Sequence, residues 1–272
     1  MVKVHELDVC GGVAGKLFSV RGVMMHNTAD IIRALKHAER LKNMSFTQLM
    51  AGFAHYYIDH EDDVRTEQTF NATYHAGNQV GNYNYISIEI VGNKYGDLTQ
   101  FLQAEQNAFW RAAIELKYYK LPVNRNTVRL HCELDVGTYT ECPKRSMIEH
   151  GGWDSTNRQP QEAINKVKDY YIKEIKKYYD NPKLKPDGKV DKPKVDTKNY
   201  HDSGVFFKAK RDLPTYVNDQ FSKKSEWMFA KGSVFGIRKV FIGSKGNTHA
   251  YVDVNGGTIR VTLHKEWVEK IK

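Results

Sequence analysis

The 272-residue sequence predicts an α/β domain with its sheet covered by helices, then a linker, then a small all-β barrel. Three observations predict it. Over residues 1–180, short alternating runs interleave with stretches whose apolar residues recur every three or four positions, as strands and covering helices do. Residues 181–203, "NPKLKPDGKVDKPKVDTKNYHDS", hold Lys-Pro and Pro-Lys steps, alternating charge and few apolar side chains, the composition of a partly extended linker. Residues 204–272 change to short aromatic runs broken by Gly, Asn and Lys, with "NGG" as a turn signal.

In chain order, "GVMMH", "AHYYID", "YISIEIV" and "TVRLH" read as strands. "ADIIRALKHAERL" and "TQFLQAEQNAFWRAAIELKYY" read as helices, the second capped by Thr99. "QEAINKVKDYYIKEIKKYY" puts Ile164, Val167, Tyr171, Ile175 and Tyr178 on one stripe with lysines opposite, a helix that closes the first domain. "HEDD", residues 60–63, reads as a solvated tip. In the tail Phe206, Phe207, Trp227, Phe229, Phe235, Tyr251 and Trp267 are core candidates, since a small barrel needs large side chains inside.

Bulk composition bounds the function. No run of about 18 apolar residues exists to cross a bilayer. The first residues, "MVKVHELDVCGG", lack the features of a secretory signal, which implies synthesis in a cytosol. Cys10, Cys132 and Cys142 are an odd number in no disulfide spacing. The net charge of +9 is uneven: residues 1–150 hold 16 Lys and Arg against 17 Asp and Glu, and residues 151–272 hold 25 against 15. A near-neutral half followed by a basic one suggests chemistry in the first and attraction to a polyanion, nucleic acid or cell wall, in the second.

Strand parity sorts the polar side chains. His26 shares a face with Met24, opposite Val23 and Met25; His131 shares a face with Arg129; Glu89 and Ser87 lie opposite Ile86, Ile88 and Ile90. Three strands thus carry His26, His131 and Glu89 at or near their ends, away from the apolar neighbours. Cys132 would point to the other face as a small buried hydrophobe. Cys142, eleven positions after His131 and just before Pro143, lies in a turn that can fold back toward that histidine. Two imidazoles and a thiolate are three ligands for one Zn2+ with an open fourth position, the arrangement of a catalytic site. With eleven histidines in the chain and no CxxC pair, spacing alone leaves both this reading and ordinary packing open.

The blocks "VMMHNTAD", "AHYYIDHED", "TYHAGN", "NYISIEIVGN" and "LHCELDVGTYTECPKR" occur in an order that resembles the zinc-dependent N-acetylmuramoyl-L-alanine amidases of the phage-lysozyme and peptidoglycan-recognition-protein type. The resemblance covers roughly residues 15–150. It implies a mixed central sheet, His26, His131 and Cys142 as ligands of one zinc ion, and Glu89 as the carboxylate that handles the attacking water. Thr140 matches a position where relatives carry lysine or threonine beside the developing oxyanion. Ala54 stands where relatives often carry tyrosine, so a phenol at the site would come from Tyr56 or another residue. His75 either lines the cleft and binds substrate or braces its loop, and Asn27 touches substrate or orients the ligands. His55 reads as a packed strand residue.

The whole order of amidase domain (1–180), linker (181–203) and basic β tail (204–272) looks like a phage or prophage endolysin acting on a Gram-positive wall, with a tail similar to Src-homology-3-like wall-binding barrels. The resemblance implies peptidoglycan as substrate, anionic wall polymers as the tail's partner, no nucleic acid and no membrane insertion. The competing readings are a peptidoglycan-binding protein without catalysis and a different wall hydrolase such as an endopeptidase. A glycosidase needs two carboxylates flanking the sugar bond, and only Glu89 is so placed.

Overall fold

The computed structural model describes residues 2–134, 139–187, 195–217, 221, 223–242, 246–254 and 257–271. The chain divides into two compact units, residues 1–190 and 191–272. Of the expected linker, 188–194 lies outside the described residues. Residues 195–203 are tied to the second unit by Asp196 N–H to Gly246 O, His201 N–H to Leu263 O and a bridge between Tyr200 and His264.

The first unit is built on β1 (Lys3–Glu6), β2 (Gly22–Asn27), β3 (Tyr56–Ile58), β4 (Asp62–Arg65), β5 (Tyr85–Ile90) and β6 (Val128–Leu130). Its helices are α1 (Ala34–Lys42), α2 (Phe46–Leu49), α3 (Gln79–Asn84), α4 (Leu98–Tyr118), α5 (Lys144–Ser146) and α6 (Gln161–Asp180). The sheet order is β1-β4-β3-β5-β2-β6. Only the β3–β4 pair is antiparallel, so the sheet is mixed.

That antiparallel pair corrects the reading of "HEDD". Asp59 accepts from the backbone N–H groups of Glu61 and Asp62 at 2.8 and 2.9 Å, which closes a tight turn and starts β4. Asp62 and Asp63 are therefore buried, and Asp63 is paired with Arg111 at 2.7 Å. A second correction concerns the start of α4: its cap is Asp97, which accepts from Gln100 N–H at 3.0 Å, while Thr99 is already inside the helix. The stretch 29–33 before α1 is a loop.

Alternation along β2, β5 and β6 sends Val23, Met25, Ile86, Ile88, Ile90, Val128 and Leu130 into one core with the buried faces of α4 and α6. Each fully buried isoleucine there stabilises the fold by about 1.5–3 kcal/mol relative to exposure. Alanines 104, 108, 112 and 113 on α4 keep that helix close to the sheet. On the other face α1 covers β3 and β4, packing Ala34, Ala38 and Leu41 against Tyr57 and Val64. The ends of β5, β2 and β6 on that face are left to polar side chains.

Close approach of β6 to β2 depends on Gly22, where a Cβ would meet Thr127 O at 2.1 Å. Pairing of Met25 with Leu130 then sets His26, the next residue of β2, level with His131, the first residue after β6.

The second unit contains β7 (Phe206–Ala209), β8 (Leu213–Tyr216), β9 (Lys224–Phe229), β10 (Val234–Gly236), β11 (Lys239–Ile242), β12 (Thr248–Val254), β13 (Gly257–Thr262) and β14 (Val268–Lys270). They form a three-stranded sheet, β10-β7-β14, and a five-stranded sheet, β11-β12-β13-β8-β9. Phe207, Phe235, Ala250, Ile259, Val261 and Val268 share one core between them. Phe229 and Trp267 pack at its edge and Tyr251 is buried, whereas Phe206 and Trp227 are exposed rather than internal. Among the described residues no helix is long and apolar enough to cross a membrane.

Candidate metal centre and active site

His26 is the last residue but one of β2, and in the register of the parallel pair it lies beside Glu89 of β5. β6 ends at Leu130, and the chain turns at once into a single 3-10 turn, His131–Leu134. That turn hydrogen-bonds across to the loop before α5, Cys132 N–H donating to Cys142 O at 3.0 Å. His26, His131 and Cys142 are thereby brought together, with their donor atoms all within 4.8 Å of one another. The fold-back expected at Pro143 is realised. Cys132, expected on a strand, sits in the turn and is half-buried at the edge of the core.

The hydrogen bonds around His26 fix which nitrogen faces the cluster. His75 Nε2 lies 3.2 Å from Gly81 O, which can only accept, so His75 carries its proton on Nε2. Its Nδ1 then accepts from His26 Nε2–H at 3.0 Å. The remaining nitrogen, His26 Nδ1, is aimed at Cys142 Sγ (3.6 Å) and Glu89 Oε1 (3.8 Å) with its lone pair available. An outer partner that sets tautomer and ring angle is the usual support of a ligating histidine. His75 thus joins His26 to the backbone of Gly81.

Asn27 is turned inward. Its side chain donates to His26 O at 3.1 Å and accepts from Ser146 N–H at 2.8 Å, and its backbone N–H points at Cys142 Sγ at 3.4 Å. It is 8% exposed and ties His26 to Cys142. Tyr56 is displaced from its expected place. It is 1% exposed on the α4 face, donates to Glu115 at 2.7 Å and lies under the Arg111 guanidinium. Its neighbour Tyr57 shares the register of Glu89. Thr140 is half-buried two residues before the cysteine, where its hydroxyl accepts from Cys142 N–H at 3.1 Å and keeps its own proton to donate. His55 is a packed residue, fully buried against Ser87 and Thr73.

The electrostatics point to a missing positive charge. Burial, with His131 and His75 nearby, holds His26 well below the ordinary histidine range. Burial and Glu89 push the Cys142 thiol well above its ordinary value. Burial and the neighbouring Asp30 push Glu89 up to about 8. Glu89 Oε2 is moreover buried with no hydrogen-bond partner among the described residues. An orphaned buried polar atom costs ~1–3 kcal/mol and more when charged. A divalent cation among these donors would bring Cys142 and Glu89 back down and hold His26 lower still, in the neutral form that ligates. Two nitrogens, one thiol sulfur and an unpartnered carboxylate fit zinc in a catalytic rather than a closed structural site.

Sequence reasoning missed three groups here. Asp30, the carboxylate nearest Glu89 in effect, belongs to a loop that was expected to be helix, and it is 3.2 Å from His37 Nε2. Tyr57 could not be chosen over Tyr56 without the register. The buried chain of Asn27, Ser146, Glu105 and His150 joins residues far apart in sequence and carries no local pattern.

Residues 17–145 match the family described as N-acetylmuramoyl-L-alanine amidase. Endolysin PlyTW of Staphylococcus phage Twort is 38% identical over 160 residues, covering 58% of this chain and 34% of that protein. Endolysin 2638A of Staphylococcus phage 2638A is 32% identical over 225 residues, covering 80% of this chain and 42% of that protein. A match over 80% of this chain is longer than the first unit, residues 1–190, so the similarity runs into the second unit. The chain spans less than half the length of these curated relatives. Among solved structures, a mutant of PlyL has a TM-score of 0.50 at 18% identity, covering 64% of this chain and 99% of that one, which supports the fold alone.

Proposed function

We propose, from the amidase-family domain that residues 17–145 form, that this chain hydrolyses the amide between the lactyl group of N-acetylmuramic acid and the L-alanine of the peptidoglycan stem peptide, as an endolysin does in host lysis. The observation that carries the reading is the convergence of His26, His131 and Cys142 within 4.8 Å, with Glu89 beside His26 on the adjacent strand. A carboxylate so close to three metal-type donors is what water activation at an amide requires.

His26 through Nδ1, His131 and Cys142 through Sγ would hold one Zn2+. When bound, the ion would supply Lewis acidity toward the scissile carbonyl and lower the pKa of water. Glu89 takes the proton from the attacking water and delivers it to the amine nitrogen as the C–N bond breaks, leaving a lactyl carboxylate and a free L-alanine amine. For this Glu89 must be ionised at neutral pH, and its position without a nearby cation favours the protonated form. Catalysis therefore depends on the loaded site. Thr140, with its hydroxyl proton free to donate, supports the developing oxyanion from the Cys142 side. His75 and Asn27 hold the ligands.

The second unit binds the wall. Residues 191–272 hold 16 Lys and Arg against 9 Asp and Glu, a +7 balance that favours anionic wall polymers, and the similarity to endolysin 2638A that reaches this unit supports a place for it in such enzymes. A wall-binding barrel of the Src-homology-3-like kind suits an all-β unit of this size. Action at the Gram-positive wall after synthesis in the host cytoplasm follows from the same reading.

Digestion of purified sacculi tests the proposal. New amino groups on L-alanine, with no new reducing sugar ends and with loss of the reaction on chelation, are the expected result. Reducing ends without amines would reject it.

A further inference from the structure

The ligands His131 and Cys142 sit on a turn and a loop, segments that hold a position only if something rigid fixes them. Both are gripped by one helix. Lys168 of α6 is 4% exposed and donates to Glu133 Oε1 and to Arg125 O, each at 2.7 Å. The other oxygen of Glu133 accepts from Leu130 N–H at 2.7 Å, which closes the turn that begins at His131. Three residues on, on the same face of α6, the hydroxyl of fully buried Tyr171 donates to Ser146 Oγ. Ser146 donates its N–H to Asn27, and Asn27 in turn is tied to His26 O and lies against Cys142 Sγ. Glu105 of α4 completes the set by accepting from Ser146 Oγ at 2.9 Å.

We infer that α6 is the brace of the ligand set, with Lys168 and Tyr171 as positioning residues that keep His131 and Cys142 at ligating separation. The metal-binding body accordingly extends to Asp180, past residues 17–145 that match the family. This rests on the metal reading given above. Neither residue touches metal or substrate. Lys168 acts on the turn of His131 through Glu133, and Tyr171 acts on Cys142 through Ser146 and Asn27.

The test is zinc affinity of the full-length chain, stripped of metal and titrated at 25 °C in competition with a chromophoric chelator, alongside thermal unfolding of the metal-free form. Lys168→Met and Tyr171→Phe should each weaken zinc binding by about 10–100-fold, the range seen when the outer support of a ligand is removed. Lys166→Met, on the exposed side of the same helix where Lys166 pairs with Glu162, should bind as wild type does. Variants that unfold at lower temperature yet bind zinc with wild-type affinity would overturn the inference, since α6 would then brace the fold and not the ligands. If Lys168→Met fails to fold, Tyr171→Phe, which removes a single oxygen, decides the matter on the same readout. A wild-type chain that takes up no zinc would overturn the metal reading itself, a result distinct from equal binding by wild type and variants.

Discussion

Glu89 Oε1 lies 3.8 Å from His26 Nδ1, the one nitrogen of that ring which its bond to His75 leaves open. The carboxylate is thus adjacent to the ligand cluster but is not one of its three close donors. Replacing Glu89 with Gln keeps the shape and removes the base. Turnover on sacculi should fall by about 10²–10⁴-fold, the usual worth of a positioned general acid and base. Zinc content measured on the same sample should be unchanged. Loss of zinc in Glu89→Gln would make Glu89 a ligand instead.

The raised pKa of Glu89 has a sign that can be read in stability. Its folded value, about 8, lies above its ordinary 4.5, so between the two the metal-free folded chain holds a proton that the unfolded chain has released. The stability this contributes is complete below the ordinary value and is lost as pH rises through about 8. His26 works oppositely: its folded value is depressed, so its contribution is present above the ordinary histidine value and is lost on acidification. Comparison of wild type with Glu89→Gln cancels the histidines. The difference in unfolding temperature, wild type minus variant, should decline from pH 5 to pH 9 without metal. A flat difference would mean that Glu89 is ionised throughout.

Cys142 supplies the soft donor, and burial keeps its thiol protonated until a cation is near. Cys142→Ser should lower zinc affinity and abolish turnover. Zinc at 100 times its dissociation constant stabilises a folded protein by ~2.7 kcal/mol. The wild-type chain should show a corresponding rise in unfolding temperature that the serine variant lacks at the same zinc concentration. Equal shifts in both would mean that the ion sits elsewhere.

Legibility in the sequence followed the range of the interactions. Strand parity alone placed Ile86, Ile88 and Ile90 in the core and put Glu89 on the opposite face, because side-chain alternation is a local property of one strand. The stripe on α6 was equally readable, and all five of its apolar positions are buried. The resemblance added the ligand set, which spacing had left open. The choice between Tyr56 and Tyr57 was not readable, since parity separates two adjacent residues but does not say which face holds the site. β4 was missed because Asp62 and Asp63 are charged, and their burial makes sense only with Arg33, from the loop before α1, and Arg111, from α4, brought to them. Asn27 looked available to substrate for the same reason: its partner Ser146 is 119 positions away.

Tyr56 offers a direct check on that correction. Its hydroxyl satisfies Glu115 inside the α4 face, and Arg111 is shared with Asp63 in the same buried set. Removal of the hydroxyl in Tyr56→Phe should cost ~1–3 kcal/mol of stability, because a buried acceptor loses a donor. Denaturant unfolding would measure it. Turnover below the unfolding transition should match wild type. Impaired turnover with unaltered stability would return the phenol to the active site.

The charge imbalance between the two parts of the chain leads to a last prediction, in which attachment and hydrolysis are separated. If the basic second unit supplies attraction and the first supplies the chemistry, residues 1–190 alone should cleave a small soluble muramyl peptide as fast as the whole chain, since such a substrate has no wall to be held on. On intact sacculi the same fragment should be slower, and the gap should narrow as salt is added, because screening shrinks from ~10 Å at 0.1 M to ~3 Å at 1 M and weakens attraction to a polyanion. Residues 191–272 should sediment with sacculi at low salt and be released at high salt. A fragment of residues 1–190 that sediments as strongly as the whole chain would place wall attachment in the first unit. A salt-insensitive tail would instead assign its binding to apolar contacts, and exposed Trp227 and Met228 on β9 would then be the side chains to substitute.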